Sequence, residues 1–408
     1  MKLANKFQNN PERILAKVHA EIRGVKFKIG VKRAATGIIE DICEGKNVIL
    51  DSGLDAWGLA RSAEMTYYCA VGTGSTPTQR DSSTTTVSQS GTTATASANY
   101  FEAGDVGRLL KYDSGEETYI TGFTSTTIVT VADSATISAA ESTIWYVDDT
   151  VLAAQTTRQN SFRTDSGDNT TTVSAGIITH KRTHLFSAVG GPVTYNEIGW
   201  SPNSGAGDLF NRALISGGVS LVLGDQLLVE SNLELTQAPQ TSVTAPDVGT
   251  GLNSVGTIQI EGYGCSEVNS SGGFSTVAYE GLGTPPSQVL EPSTNNLSNV
   301  RSIAITSTNP AFAPYGTTTS FSLSVGTTEK RNYAESTYFA GNYYRYKFVT
   351  FTTTEGNIAA VKCIILGIMY GGKMESNLRV VMTSTFAKLN TQTLFIVFSQ
   401  SWSRTLTN

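Results

Sequence analysis

The sequence predicts an all-β protein with two related β-sandwich modules of jelly-roll-like type, a small β insertion, and long loops or arms. Composition is the first reason: only 15% of residues are charged, against the usual quarter, whereas Ser, Thr, Gly and aromatic residues are plentiful. The second reason is that short apolar runs alternate with turn residues along most of the chain. The third reason is an internal repeat of strand-like segments.

This repeat relates the middle of the chain to its C-terminal end. Residues 212–236 align without a gap on residues 379–403, so that Arg212 falls on Arg379. Few residues are identical, and the match is therefore one of pattern. Upstream, the segments VTYNEIGW and NIAAVKCIIL occupy similar positions. Repeated β modules are more typical of assembly proteins than of enzymes, so the repeat favours a structural role.

Residues 1–74 are predicted to form an N-terminal α+β docking unit. A short helix is expected to begin at Asn10 and Pro11, with Ile14 and Val18 on one side. The alternating segment GVKFKIGVK then predicts a strand with one solvated face. Nine of the first 33 residues are Lys or Arg. They fit either docking on an acidic partner or a solvated edge that resists strand aggregation.

Later elements of this unit are shorter. The pattern indicates an extended segment at 47–50, a helix or helical turn at 51–60, and a strand at 65–71 that leads into a glycine-rich loop. Gly72 and Gly74 in that loop are expected to adopt positive φ. A phosphate-binding loop is not favoured, because no Gly-Lys-Ser/Thr follows and no helix is signalled.

The remainder of the chain divides by composition into five parts. Residues 75–99 are a Ser/Thr-rich tract, interpreted as a loop, a linker or an arm on a neighbouring subunit. Residues 100–150 show the hairpin spacing of a small β insertion. The first β-sandwich module is placed at 151–236 and is completed by part of the docking unit. A loop-rich connector at 237–300, interpreted as interface material, leads to the C-terminal β-sandwich module at 301–408.

Charge and hydropathy exclude several classes of protein. The net charge of −5 argues against a nucleic-acid coat, which needs a basic face. No apolar run reaches the ~18–20 residues that span a bilayer, and the segment 359–369 contains Lys362 and is expected to be a buried strand. The N-terminus lacks a signal-peptide layout. The chain is therefore expected to stay in a cytoplasm until assembly or lysis.

Metal, redox and cofactor sites are not predicted. Four cysteines are scattered without ligand or redox spacing and are expected to be reduced structural residues: Cys43, Cys69, Cys265 and Cys363. His180 and His184 have a spacing that could hold a metal on a helix. Their flanks are strand-like, however, which places the two side chains about 13 Å apart on one face.

Charged motifs in the first module are interpreted as structural. Glu197 lies beside a turn and is predicted to form an ion pair between strands with Arg212 or Arg182. A catalytic role would need a second carboxylate in the same cleft, and Asp208 is the only nearby candidate. No catalytic residue is therefore predicted. The pair Gly224-Asp225 is expected to form a hairpin turn.

Four segments stand out by their order and spacing: Ala70–Pro77, Asn196–Trp200 after Arg182 and Phe186, Arg212–Ile215 and Leu221–Val229. They resemble segments of minor structural proteins of tailed bacteriophages. The family pattern there is roughly VGTGSTPP, then F-x-E-[IV]-G, R-x-L-[IV] and L-x-x-G-D-x-L-x-V. The resemblance covers about 70–78 and 180–236. It implies a tail, baseplate, neck or fibre component with no catalytic residues to carry over.

Aromatic residues cluster before the last strands of the chain. Tyr338, Phe339, Tyr343 and Tyr344 are candidates for a subunit interface or for stacking on a glycan. A buried core or an interface explains the same stripe, and the sequence favours that interpretation over glycan binding.

The sequence thus predicts a virion structural protein rather than an enzyme. It is expected to form a symmetric homo-oligomer, to dock on other virion proteins, and to insert into no membrane. The alternative is a module of the virion that binds a host surface glycan. An enzyme is least favoured, because no paired carboxylates and no Ser/His/Asp or Cys/His set are recognisable.

Overall fold

The protein is described from a computed structural model. It describes residues 13–58, 65–163, 170–174, 177–205, 208–238, 258–262, 265–268, 274–279, 300–307, 320–322, 327–330, 334–335, 340–370 and 373–406. These residues are mostly β-strand, as the sequence predicts, and the sheets are mainly antiparallel.

The N-terminal part contains four strands and the only α-helix among the described residues: β1 (Arg13–Lys32), β2 (Ile39–Lys46), β3 (Val48–Ile49), α1 (Asp51–Gly58) and β4 (Tyr68–Gly72). An inserted module follows: β5 (Gln79–Asp81), β6 (Val87–Ala96), β7 (Leu109–Tyr112), β8 (Glu117–Ser125), β9 (Ile128–Ala140) and β10 (Ser142–Trp145).

The chain then returns to the first module with β11 (Gln155–Gln159), β12 (Thr170–Ser174), β13 (Ile177–Leu185), β14 (Val193–Ser201), β15 (Asn211–Leu221) and β16 (Gln226–Ala238). The C-terminal part contains β17 (Ile258–Gly262), β18 (Cys265–Val268), β19 (Phe274–Tyr279), β20 (Val300–Thr306), β21 (Ser320–Ser322), β22 (Thr327–Lys330), β23 (Ala334–Glu335), β24 (Tyr344–Phe351), β25 (Ile358–Tyr370), β26 (Lys373–Lys388) and β27 (Leu394–Arg404).

The repeat predicted from the sequence appears as a repeat of strand order. In the first half, one sheet has the order β11-β4-β14-β15-β3. In the second half, one sheet has the order β22-β20-β25-β26-β17. Each of these strands occupies the position of its counterpart in the first half. The remaining strands are also equivalent in pairs. The groups β12-β13-β16 and β23-β24-β27 lie on the two sides of β1 in one large sheet.

The two halves share the strand β1. One edge of β1 pairs antiparallel with β16 over residues 19–32, and the other edge pairs parallel with β27 over residues 13–22. Glu21 lies between Thr236 and Ser403, which are equivalent residues of the repeat. A local pseudo-twofold axis therefore passes through the large sheet at Glu21. Because β16 is antiparallel to β1 and β27 is parallel to it, the equivalent strands of the two halves run in opposite directions.

The strand β1 also shows that the helix predicted near the N-terminus is wrong. Residues 13–32 form one strand because they pair with partners on both edges. Ile14 fits a helical stripe, but it also starts a two-residue alternation that reaches Ile22. A bulge at Gly24, with φ of 123°, then shifts the buried positions from even to odd numbers, beginning at Val25. Because the bulge changes which positions are buried, the strand alternation is not recognisable along the whole segment.

Equivalent turns of the repeat have the same hydrogen bonds. Between β15 and β16, the Asp225 N–H donates to Val222 O, and the Asp225 carboxylate accepts from Val222 N (3.2 Å). Between β26 and β27, Gln392 and Leu389 make the same two contacts, with Gln392 Oε1 accepting from Leu389 N at 3.1 Å. The predicted turn at Gly224-Asp225 is confirmed, and its counterpart shows that the repeat extends to atomic detail.

The main core draws its buried side chains from two sheets and from α1. Strands β1 and β16 belong to one sheet, and β4, β14 and β15 to the other. The core includes Ile22, Phe27, Ile29, Val71, Ile198, Trp200, Ile215, Leu227 and Val229. Trp402 of β27 belongs to the same core, and its indole donates to Leu54 O at 2.8 Å. Apolar burial thus ties the C-terminal strand to the first module.

The inserted module has its own sheet and core. Its strand order is β5-β10-β7-β8-β9-β6, around buried Tyr112, Ile120, Val129 and Ile144. The strand β6 bends at Gly91 (φ of 60°), so that Ser97 N donates to Thr86 O at 2.8 Å. The predicted loop or arm at 75–99 is therefore wrong for β5, which pairs with β10, and for β6, whose Ser and Thr residues alternate with buried positions such as Val87.

The helix or helical turn predicted at 51–60 is confirmed as α1, and the strand predicted at 65–71 is present as β4. The strand expected at 359–369 lies within β25. The connector 237–300 contains β17, β18 and β19 among its described residues. Most of that connector, including residues 280–299, lies outside the described part of the chain.

Candidate functional site at the root of the inserted module

Two segments connect the inserted module to the first module, and we call them the root segments: residues 73–78 and 147–154. Both cross the outer face of the sheet that contains β4 and β14. Glu197 of β14 lies beneath them and is fully buried. Its carboxylate accepts hydrogen bonds from Gly74 N (3.1 Å), Ala153 N (2.9 Å) and Ala154 N (2.6 Å). One carboxylate therefore holds both root segments.

Arg212 of β15 completes this arrangement. Its side chain is 1% exposed and lies 3.3 Å from Glu197. It also donates to Asp149 Oδ2 (2.5 Å) and to Thr76 O (2.6 Å), which lie on the two root segments. The ion pair predicted for Glu197 is thus made with Arg212 and not with Arg182. We call Glu197, Arg212 and Asp149 the root clamp.

Gly72 and Gly74, which were predicted to adopt positive φ, serve a different role. Neither Gly72 nor Gly74 has positive φ. A Cβ on Gly72 would instead lie 2.5 Å from Ala154 O and 2.6 Å from Glu197 Oε1, and one on Gly74 would meet Glu197 Oε1 and Ala153 Cβ. Glycine is required because the root segments pass directly against the carboxylate.

The chemistry of the root clamp is that of a structural pin. Burial raises the pKa of Asp149, and the neighbouring Arg212 guanidinium opposes this shift. The oxygens of Glu197 are all engaged by backbone N–H groups and by Arg212. Asp208, the candidate second carboxylate, contributes its backbone oxygen to Ser201 Oγ. The arrangement holds two chain crossings in place.

A second polar cluster joins the inserted module to α1 and to the last strand. We call it the junction cluster: Asp51, Tyr119 and Arg404. Arg404 Nη2 donates to Asp51 Oδ1 and to Tyr119 OH (2.6 Å), while its Nη1 donates to Ile49 O (2.8 Å). Burial raises the pKa of Tyr119 to about 12. Nearby, Lys111 donates to Leu406 O at 2.5 Å. The inserted module is therefore fixed on two sides.

The predicted aromatic candidates are divided by the structure. Tyr338 and Phe339 lie outside the described residues. Tyr343 is half-buried, packs against the main core, has φ of 48°, and accepts a hydrogen bond at its carbonyl from Trp402 N (3.0 Å). Burial raises the pKa of the Tyr343 phenol. Tyr344 is partly exposed at the start of β24. Tyr343 thus packs at the junction rather than presenting a free ring.

Neither histidine of the predicted pair lies on a helix, because both belong to β13. His184 is buried, its Nε2 lies 3.2 Å from Tyr67 O, and burial lowers its pKa to about 4. Within the described residues, no group of three His, Cys, Asp or Glu side chains is arranged to hold a metal. Cys69 and Cys363 are buried, and Cys43 is partly exposed.

Around His184 the structure assembles an aromatic cluster that the sequence pattern did not reveal. Tyr67 contacts Tyr68 and Phe162 edge-on, with ring centroids 5.0 and 5.1 Å apart. The Arg182 guanidinium lies 4.9 Å from the Phe162 ring and 5.5 Å from the Tyr67 ring. All three aromatic residues are partly exposed. Phe162 and Arg182 lie far from Tyr67 and Tyr68 in the chain, so no local pattern signalled the cluster.

Similarity to known proteins gives no identification. No family model, curated protein or solved structure matches this chain. In the part of the chain that the structure describes, no helix is long and apolar enough to cross a bilayer. Functional inference therefore rests on the fold, the root clamp and the motifs.

Proposed function

We propose that this chain is a structural component of a bacteriophage particle, in its tail, baseplate, neck or fibre. It self-assembles into a symmetric homo-oligomer in the host cytoplasm and docks on other virion proteins. It acts without catalysis, metal or cofactor. Each half of the repeat is a jelly-roll-like β-sandwich, an interpretation supported in the first module by one core filled from two sheets.

The duplicated strand order around β1 is the observation that carries this proposal. The two equivalent halves lie on opposite edges of one long strand, β1. The chain therefore has two related surfaces. Such an arrangement suits a part that connects neighbours in a particle better than it suits a single active-site cleft.

The motif segments support the resemblance to tailed-phage proteins because they meet in space. Gly74, Glu197 and Arg212 are joined in the root clamp, and Asn196 Nδ2 donates to Thr73 O at 3.0 Å. Leu227 and Val229 of the last motif lie in the adjoining core. The motif segments thus form one structural unit, the support of an inserted module.

Purified particles provide the test. Mass spectrometry and immunogold electron microscopy of virions from the source phage should find the protein at a fixed copy number and at one location. The recombinant chain should form a discrete oligomer by mass photometry. A strictly monomeric chain that is absent from particles would exclude the proposal.

The aromatic cluster favours a second candidate function, binding of a host surface glycan. Tyr67, Tyr68 and Phe162 present partly exposed rings beside Arg182, and sugar rings stack on such surfaces. A glycan array with wild-type protein and with Tyr68→Ala tests this role. Binding that Tyr68→Ala removes, while Tyr344→Ala retains it, would support the cluster. Equal loss in both variants would argue against it.

A further inference from the structure

A short segment at the end of β27 contacts three parts of the molecule, and we call it the strap: Arg404–Leu406. Thr405 N donates to Ile22 O of β1 at 2.9 Å, and Thr405 Oγ1 donates to the Glu21 carboxylate at 2.5 Å. Arg404 belongs to the junction cluster and so contacts both the first module and the inserted module. The strap thus belongs to the second half of the repeat, yet its partners lie on β1, in the first half and in the inserted module.

The strap is hydrogen-bonded to two strands of the inserted module, β7 and β8. Tyr119 OH accepts from Arg404 (2.6 Å) and donates to Asp51 Oδ1 (2.9 Å), and Arg404 in turn binds Asp51. Lys111 Nζ donates to Leu406 O at 2.5 Å. Away from the root segments, these contacts between the inserted strands and the rest of the molecule therefore run to the strap or to the carboxylate that the strap holds.

Leu406 belongs to a small apolar cluster at the same place. This cluster is separate from the main core and from the core of the inserted module, and Leu406 is buried in it. The other buried members are Val48, Leu109, Trp145 and Val147. Among these described members, Val48 and Leu406 come from outside the inserted module and its root segments. The strap therefore supplies one of two apolar side chains on which the module rests.

The direction of the repeat explains why the strap meets the inserted module. Equivalent strands of the two halves run in opposite directions along β1, so their ends diverge from Glu21. Gln237, the counterpart of Arg404, pairs with Ala20, whereas Arg404 pairs with Ile22. The end that belongs to the second half is the one that reaches the inserted module. A module inserted in the first half is therefore held in place by the second half.

We propose that the strap is a latch through which the second half of the repeat sets the position of the inserted module. While the strap is seated, the module is fixed both at the strap and at the root clamp. When the strap is lifted, the module keeps its two root segments and pivots about the root clamp. Units joined by a small polar interface normally move relative to each other, and the strap offers only three residues.

The position of the strap in the chain makes this latch a coupling device. Arg404 is the last residue of β27, so a partner that displaces β27 from β1 also withdraws the strap from the inserted module. Such a partner favours the released position by its higher affinity for that state. This device goes beyond the structural role proposed above, because it does not depend on the particle in which the chain assembles.

Pulsed dipolar electron spin resonance on the full chain tests the latch. Spin labels are attached at Thr92→Cys in the inserted module and at Ala35→Cys in the turn after β1, two exposed positions, with Cys43 and Cys265 replaced by serine. With the intact strap we expect one narrow distribution of distances. Leu406→Ser should increase the share of molecules with other distances at least about tenfold, because it removes a buried leucine from the latch.

Two further variants support this measurement. Leu389→Ser is the matched control, because Leu389 is exposed and lies outside the strap. It should leave the distribution unchanged. Lys111→Met removes the donor to Leu406 O from the side of the inserted module and leaves β27 intact. It should broaden the distribution in the same direction, and it decides the test if Leu406→Ser does not fold.

Hydrogen exchange separates pivoting from unfolding. In Leu406→Ser the Gly74 and Ala154 amides, which bind Glu197, should stay protected, and so should the paired amides of β8 and β9. Three outcomes would overturn the proposal: an unchanged distribution in the folded strap variant, equal broadening in Leu389→Ser, or broadening accompanied by loss of amide protection in β8 and β9. The presence of the protein in particles is measured separately, so the latch can fail while the structural role remains.

Discussion

The two halves of the repeat share a scaffold, but one buried position carries a carboxylate in the first half only. In the first half, Glu197 pairs with Gly72 and Leu214. At the same register in the second half, Cys363 pairs with Thr306 and Val381. Both Glu197 and Cys363 are completely buried. A large insertion follows β4 only in the first half, so the charge appears where two crossing segments must be held and not where the scaffold alone is built.

Replacing the clamp carboxylate should give the largest effect and would test this comparison directly. Glu197→Leu removes one of the two carboxylate partners of the buried Arg212 and the acceptor of three backbone N–H groups, and we expect a loss of about 3–5 kcal/mol in the free energy of unfolding. Cys363→Ala, at the equivalent position, should cost only about 1 kcal/mol. Urea denaturation of both variants measures the difference. Similar losses would mean that the carboxylate is not what distinguishes the halves.

Acid sensitivity should also separate the halves. His184 pairs with Val229 in the first half, and Val349 pairs with the equivalent Ile396 in the second. The folded-state pKa of His184, about 4, lies below the value of about 6.5 expected in the unfolded chain. The unfolded chain therefore binds more protons between these values. Stability is complete above about pH 6.5 and is lost as the pH falls towards 4, by on the order of 3 kcal/mol.

The variant His184→Val isolates this contribution, because it copies the residue of the second half. Urea midpoints measured near pH 7 and near pH 4 should converge in the variant relative to the wild type. An unchanged pH dependence would show that His184 is not the responsible group.

Glycine at the root should be the next most sensitive position. The counterpart of Gly72 at the same register is Thr306, which carries a full side chain. A methyl group on Gly72 would overlap Ala154 O and the Glu197 carboxylate, so Gly72→Ala is expected to destabilise by about 1–3 kcal/mol. Gly190→Ala is the control, because nothing lies within 4 Å of its added Cβ. Equal thermal stability of the two variants would contradict close packing at the root.

The equivalent turns should show the smallest difference. Asp225 and Gln392 accept the same backbone hydrogen bond, but Asp225 also binds Arg33 and Ala34. These donors lower the pKa of Asp225, with the Ala34 N–H as the main cause. Asp225→Ala should therefore lower the melting temperature more than Gln392→Ala does. The reverse order, measured by calorimetry, would show that the extra partners add nothing.

Sequence periodicity predicted the strands and the repeat because both are local patterns of apolar and turn residues. It also suggested Glu197 and Arg212, because opposite charges on adjacent predicted strands favour pairing. It could not supply Asp149 or Asp51, since their partners are brought close only by the path of the inserted module. Bulges defeated the pattern at Gly24, and an uncharged Ser/Thr alternation hid β6. In each of these cases the structure is determined by pairing between residues far apart in the chain, rather than by local sequence preference.

The strand β1 has a consequence for how the molecule is made. It is synthesised long before β27, yet its N-terminal half pairs with that strand. The large sheet therefore cannot close until β27 has been synthesised, and until then the edge that β27 will occupy is open to other strands. Chaperone dependence and slow folding are the expected results for a chain in which strands so far apart in sequence are neighbours.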